Sequence, residues 1–140
     1  MYPLSQLITE PVNELFLMIN SIQLFKSSNF TKSLIADSDL IFFILFLVIP
    51  MLKKVLLKYP SIKYVFCHQA SLIVLNTLKS ELKGFRIEIP TNIKTRGNTV
   101  SSSIPILLKD TFIKISDKNR SFVMLGFGVG LQCRIMVIKK

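Results

Sequence analysis

The sequence predicts an α/β domain in which helices pack on a mixed β-sheet. Two observations carry that reading. From Asp39 onward, short runs rich in β-branched and aromatic residues alternate with longer runs of helical period. Two further strand-like runs then close the chain around a glycine cluster. A length of 140 residues fits one domain with a modest core, and a composition that is 50% hydrophobic excludes disorder over most of it.

Residues 1–38 form a divergent leading segment with no sustained period and no predicted element; residues 39–140 form the legible domain. Ser38 or Asp39 caps a helix through "LIFFILFLVIPMLKKVLLK", which ends at the Lys58-Tyr59-Pro60 break. "IKYVFC" follows as a strand. "ASLIVLNTLKSELKG" reads as a helix with Leu72, Leu75, Leu78 and Leu82 on one stripe and Gly84 at its C′ position. "FRIEI" alternates as a strand. "KTRGNTVSSS" is a turn leading into the helix "IPILLKDTFIKI", with hydroxyls of Ser101 to Ser103 as caps and Pro105 near the first turn. The strand "SFVML", a glycine turn "GFGVG" and the strand "LQCRIMVI" complete the order.

Charge and composition narrow the function. A net charge of +10 comes from scattered lysines, without an Arg-rich helix or an aromatic-basic alternation, so no nucleic-acid partner is expected. Two cysteines, Cys67 and Cys133, are too few for a disulfide framework and fit a reducing compartment. The first residues lack a basic region followed by an apolar one, so no signal peptide is read and the expected location is cytoplasmic. The apolar run 40–52 contains Pro50 and is shorter than the ~20 residues that span a bilayer, so it reads as a buried helix rather than a membrane segment. Cys67, His68 and Cys133 lack a fourth ligand and paired spacing, so no metal is expected. Gly126, Gly128 and Gly130 precede a strand rather than a helix, which excludes a dinucleotide loop.

Three motifs in order carry a resemblance. "HQASL", "RGNTVSSSIPILL" and "LGFGVGL" resemble the closing third of β-ketoacyl-acyl-carrier-protein synthase III, a thiolase-fold condensing enzyme, with thirty residues from His68 to Asn98 as is usual there. The resemblance implies the C-terminal half of a thiolase-like fold and a decarboxylative Claisen condensation. In that reaction a malonyl thioester loses carbon dioxide and its enolate attacks an acyl group held on a cysteine. It further implies that His68 and Asn98 donate hydrogen bonds to the thioester oxygen where charge develops. Phe127, Gly128, Val129 and Gly130 would line the malonyl pocket, with Val129 at the position of a backbone oxyanion donor. No cofactor is implied; the substrates would be malonyl and acyl thioesters of acyl-carrier protein or coenzyme A.

Departures from the pattern set limits on that expectation. The family's nucleophilic cysteine belongs to a half that this sequence does not show. Cys67 precedes His68 on a strand and so points to the opposite face, and Cys133 replaces a usual Trp. The domain is therefore expected to act with a Cys-bearing N-terminal half or as a homo-oligomer, and not to transfer acyl groups alone. Ile73 stands where many members carry a basic residue that docks the carrier protein, and Arg134 replaces a usual Gly; both weigh against that partner. The rival reading is a non-catalytic, membrane-associated or interaction remnant of the same fold.

Overall fold

The computed structural model describes residues 17–23, 37–112, 121–128 and 131–139, and these build a four-stranded sheet with helices on both faces. In chain order the elements are β1 (Leu17–Gln23), α1 (Asp37–Phe43), a π-helical segment (Ile44–Val48) and α2 (Ile49–Lys58). Then come β2 (Tyr64–Cys67), α3 (Leu72–Glu81), the short α4 (Ile93–Arg96), a 3₁₀ turn (Val100–Ser102) and α5 (Ser103–Phe112). β3 (Phe122–Gly128) and β4 (Gln132–Ile138) end the chain.

The sheet order is β1-β4-β3-β2. β2 lies parallel to β3, while β4 is antiparallel to both β3 and β1, so the sheet is mixed as expected. β1 falls inside residues 1–38, for which sequence reading supplies no element; its pairing with β4 adds that segment's strand to the same sheet.

One sheet face is the main core. Val65 and Cys67 of β2, Val123, Leu125 and Phe127 of β3, and Cys133, Ile135 and Val137 of β4 are buried there. Ile44, Val48, Leu52, Leu75 and Leu78 from the helices join the same cluster. The period-2 alternation of β3 and β4 delivers that face, with every second residue buried. On the opposite face Phe66 packs edge-on against Phe112 of α5 and Phe122, each at 5.4 Å between ring centres, within the range aromatic pairs favour.

Several expectations needed correction. The first helix starts at Asp37, so Ser38 and Asp39 lie inside it rather than before it. The helix runs through Pro50 as read, and the π-helical segment just before it, with the Ile49 N–H reaching back to the Ile44 carbonyl, carries the chain past the proline. The continuous helical run Leu40–Lys58 is consequently 19 residues and is long and apolar enough to cross a membrane, which the count of thirteen residues missed. Its buried face nonetheless lies in the core.

Leu72 is exposed and Val74 takes its place in the buried stripe of α3. α3 is capped by Ser71, whose hydroxyl accepts the Val74 N–H, and Gly84 lies beyond its C-cap Leu82 without left-handed backbone. "FRIEI" pairs at one residue only: Glu88 bridges Tyr64, and Pro90, with no N–H to give, follows closely. Gly126 and Gly128 belong to β3 rather than to a turn, because Gly126 pairs with Arg134 and Gly128 with Gln132. Ser103 is the first residue of α5, and its hydroxyl donates to the Val100 carbonyl at 2.8 Å.

Candidate functional site

The site forms where β2 ends. His68 is the first residue past that strand, and its backbone N–H still donates to Leu125 of β3 at 2.9 Å, which fixes the imidazole at the edge of the sheet. Its ring is half-buried and meets Phe127 edge-on at 5.5 Å between centres. Burial holds the His68 pKa below the ordinary 6.5, and a hydrogen bond to the Val100 backbone partly opposes that shift.

Asn98 reaches the same place from another direction. The short helix α4 ends at Gly97, whose φ of +67° is open to glycine and strained for other residues, and this turn brings Asn98 back toward the loop after β2. The Asn98 Nδ2 donates to the Ala70 carbonyl at 3.3 Å, and its Oδ1 accepts the Val100 N–H at 2.9 Å. Val100 thus holds the carboxamide through its N–H. Val100 adopts φ +49°, an uncommon conformation for a β-branched residue, which such a network of bonds is needed to hold.

Of the pocket residues read from the sequence, Phe127 is buried against His68, and Gly128 is the last residue of β3. Val129 and Gly130 lie outside the described residues. A Cβ on Gly126 or Gly128 would meet no atom within 4 Å, so the packing of the described residues does not require glycine there. A shallow cleft of about 200 Å³ runs along Gly126, Phe127, Gly128 and Cys133. A larger one of about 470 Å³ lies between Lys79, Phe85 and Pro90 and touches neither His68 nor Asn98.

Neither cysteine is placed as a nucleophile. Cys67 is fully buried on β2, and burial pushes its thiol up to about 12; Cys133 on β4 is pushed up to about 11 for the same reason. Among the described residues no three His, Cys, Asp or Glu side chains cluster as metal ligands would.

One buried side chain escaped the sequence reading. Gln69, fully buried, donates from Nε2 to the Cys67 carbonyl at 2.9 Å and accepts the Asn92 N–H on Oε1 at 3.1 Å. Its signal was present in the motif "HQA": an amide between a buried strand and a helix cap has to find partners if it turns inward.

Residues 52–140 match the family described as 3-oxoacyl-[acyl-carrier-protein] synthase III C terminal. The chain belongs to that family. A β-ketoacyl-[acyl-carrier-protein] synthase III of Streptococcus agalactiae is 33% identical over 87 residues, covering 59% of this chain and 27% of that protein. One from Clostridium perfringens is 28% identical over 129 residues, covering 91% of this chain and 36% of that protein, so the likeness extends into the leading segment. The chain thus spans about a quarter to a third of the length of the curated relatives it matches. In fold it is similar to the 3-oxoacyl-(acyl carrier protein) synthase III of Pseudomonas aeruginosa, with a TM-score of 0.63 over 74% of this chain and 34% of that one at 21% identity. The fold of this chain is therefore the C-terminal part of a thiolase-like fold.

Proposed function

We propose that this synthase III C-terminal domain supplies the malonyl-thioester site of a decarboxylative condensing enzyme that builds fatty or related acyl chains. The observation that carries the reading is the Asn98 side-chain hydrogen bond to the Ala70 carbonyl at 3.3 Å, because it ties the carboxamide to the loop that begins at His68. Loss of carbon dioxide from a malonyl thioester leaves an enolate, with charge on the thioester oxygen. Preorganised donors aimed at that oxygen lower the barrier more than any other feature the site offers.

Asn98 is suited to the task. Its carboxamide has two N–H groups, of which the Ala70 carbonyl takes one; the second has no protein partner among the described residues and is free to meet a substrate oxygen. His68 is constrained differently. Above its lowered pKa the ring is neutral and has a single N–H to offer a substrate oxygen. Phe127, edge-on to the ring, limits how far the imidazole swings.

Acyl transfer needs a nucleophile that Cys67 and Cys133 do not supply, so in this reading a Cys-bearing partner half completes the reaction in the cytoplasm, with the acyl groups delivered as thioesters of acyl-carrier protein or coenzyme A and no cofactor. Ile73, exposed at the first turn of α3, offers an acidic carrier protein no charge at the position where the family places one.

The direct test is release of carbon dioxide from malonyl-coenzyme A by the purified chain. The wild type is expected to exceed His68→Ala and Asn98→Ala. Equal release by all three would end the reading.

A further inference from the structure

We infer that Gln69 is the positioning residue that sets the separation of the two donors. The inference rests on the proposed malonyl site but is argued from a hydrogen-bond network of its own. Gln69 is fully buried, and a buried amide is costly unless bonded; its two backbone partners, the Cys67 carbonyl and the Asn92 N–H, depend on it in turn. What the amide adds is direction.

Its Nε2 is anchored on the Cys67 carbonyl at 2.9 Å, the last residue of β2 and next to His68. Its Oε1 takes the Asn92 N–H at 3.1 Å, and Asn92 starts α4 by accepting the N–H groups of Thr95 and Arg96 on its carbonyl. Four residues of helix then end at Gly97 and deliver Asn98. At the far end Asn98 bonds back to Ala70, so the loop 68–70 and the segment 92–98 are joined at both ends, with Gln69 as one of the two ties. Asp110 of α5 braces the second segment. It accepts from Asn92 Nδ2 at 3.0 Å and from Arg96 Nε at 3.3 Å, which fixes both ends of α4 to one carboxylate.

A short helix held at its N-cap Asn92 by Gln69, and at Asn92 and Arg96 by Asp110, behaves as a rigid spacer. Releasing the Gln69 tie lets Asn98 drift relative to His68, and a misplacement on the order of 1 Å costs about 100-fold in rate. Gln69 itself touches no reacting atom.

The test uses Gln69→Met, which keeps length and loses both bonds, and Asp110→Asn, which keeps an acceptor for Asn92 and loses the charge that holds Arg96. Leu52→Ala, a core change in α2 remote from the loop, is the control for mere destabilisation. His68 is the only histidine in the chain, so its imidazole signals in NMR are read without ambiguity. The expectation is that Gln69→Met stays folded, shifts the His68 titration midpoint and lowers kcat for malonyl decarboxylation by about 10- to 100-fold with little change in KM. Asp110→Asn should move both in the same direction by less, and Leu52→Ala should lower Tm without moving the midpoint. Should Gln69→Met fail to fold, Asp110→Asn carries the test by the same two readouts. Unmoved His68 signals and unchanged kcat in the folded variants would overturn the positioning role. Shifted signals with no decarboxylation by the wild type would support the positioning role and reject the malonyl site instead.

Discussion

The backbone N–H of Val100 donates to the side-chain oxygen of Asn98 at 2.9 Å. Because the Asn98 nitrogen is simultaneously engaged by Ala70, the carboxamide is held at both ends and does not rotate without losing a bond. The same bond helps hold Val100 at φ +49°, a conformation that costs on the order of 1–3 kcal/mol and persists where surrounding bonds enforce it. Ser103 contributes from the other side through its hydroxyl on the Val100 carbonyl. Strain of this kind gathers at sites where a side chain has to be aimed.

Asn98→Asp separates aim from donation. The carboxylate keeps an acceptor for the Val100 N–H but replaces the donating nitrogen with an oxygen that repels both the Ala70 carbonyl and a developing enolate. The expected loss in malonyl decarboxylation is at least the ~100- to 1000-fold that follows removal of one such donor. Asn98→Ala should lose a similar amount. Carbon dioxide release measured at saturating malonyl-coenzyme A decides it, and a carboxylate variant as active as the wild type would remove Asn98 from the reaction.

The sheet and the helix that precedes β2 were legible because their signals are periodic: β3 and β4 bury every second residue as their sequence alternates. The site was legible only through motif order, since nothing in composition joins residues thirty positions apart. Two things were hidden for physical reasons. The pairing of β1 with β4 carries a register shift between Ile19 and Ile22, which breaks the period of two that marks a regular strand. The tie between Gln69 and Asn92 spans 23 residues and depends on a loop closing on itself, which local pattern does not encode.

Folding stability should carry the signature of His68. Its folded pKa lies below 6.5, chiefly through burial, so between the two values the unfolded chain binds more protons than the folded one. Stability contributed by the neutral ring is thus fully present above about 6.5 and is lost as pH falls from there through the folded pKa. Urea midpoints of the wild type and His68→Gln, compared between pH 7.5 and 5, should converge or cross as the pH drops. A constant difference across that range would mean the ring titrates alike in both states.

The two thiols should resist acylation. With Cys67 pushed up to about 12 and Cys133 to about 11, both are almost wholly protonated at neutral pH, and both are buried. Intact-mass spectrometry after incubation with acyl-coenzyme A is expected to show no adduct on the folded chain, and alkylation by iodoacetamide should need urea. A stoichiometric acyl adduct on Cys67 or Cys133 of the folded chain would supply the missing nucleophile and overturn the requirement for a partner half.

The outward face of the Leu40–Lys58 helical run should drive association. Phe42 and Phe46 are each 62% exposed and pack together with ring centres 4.2 Å apart and planes tilted by 31°, and Leu57 is 73% exposed further along. An aromatic pair standing in water gains by being covered, whether by a partner half or by a second copy. Light scattering of the purified chain is expected to report oligomers, and a Phe42→Ser, Phe46→Ser double variant should move the distribution toward monomer while leaving the buried Ile44 and Val48 in place. Because the same run is long and apolar enough to cross a membrane, the expressed chain should also be fractionated and the membranes washed with carbonate. Release into the wash fits a helix whose other face is the core of the domain. Retention in floated membranes, abolished by the double variant, would instead favour the non-catalytic membrane-associated reading over the condensing-enzyme site.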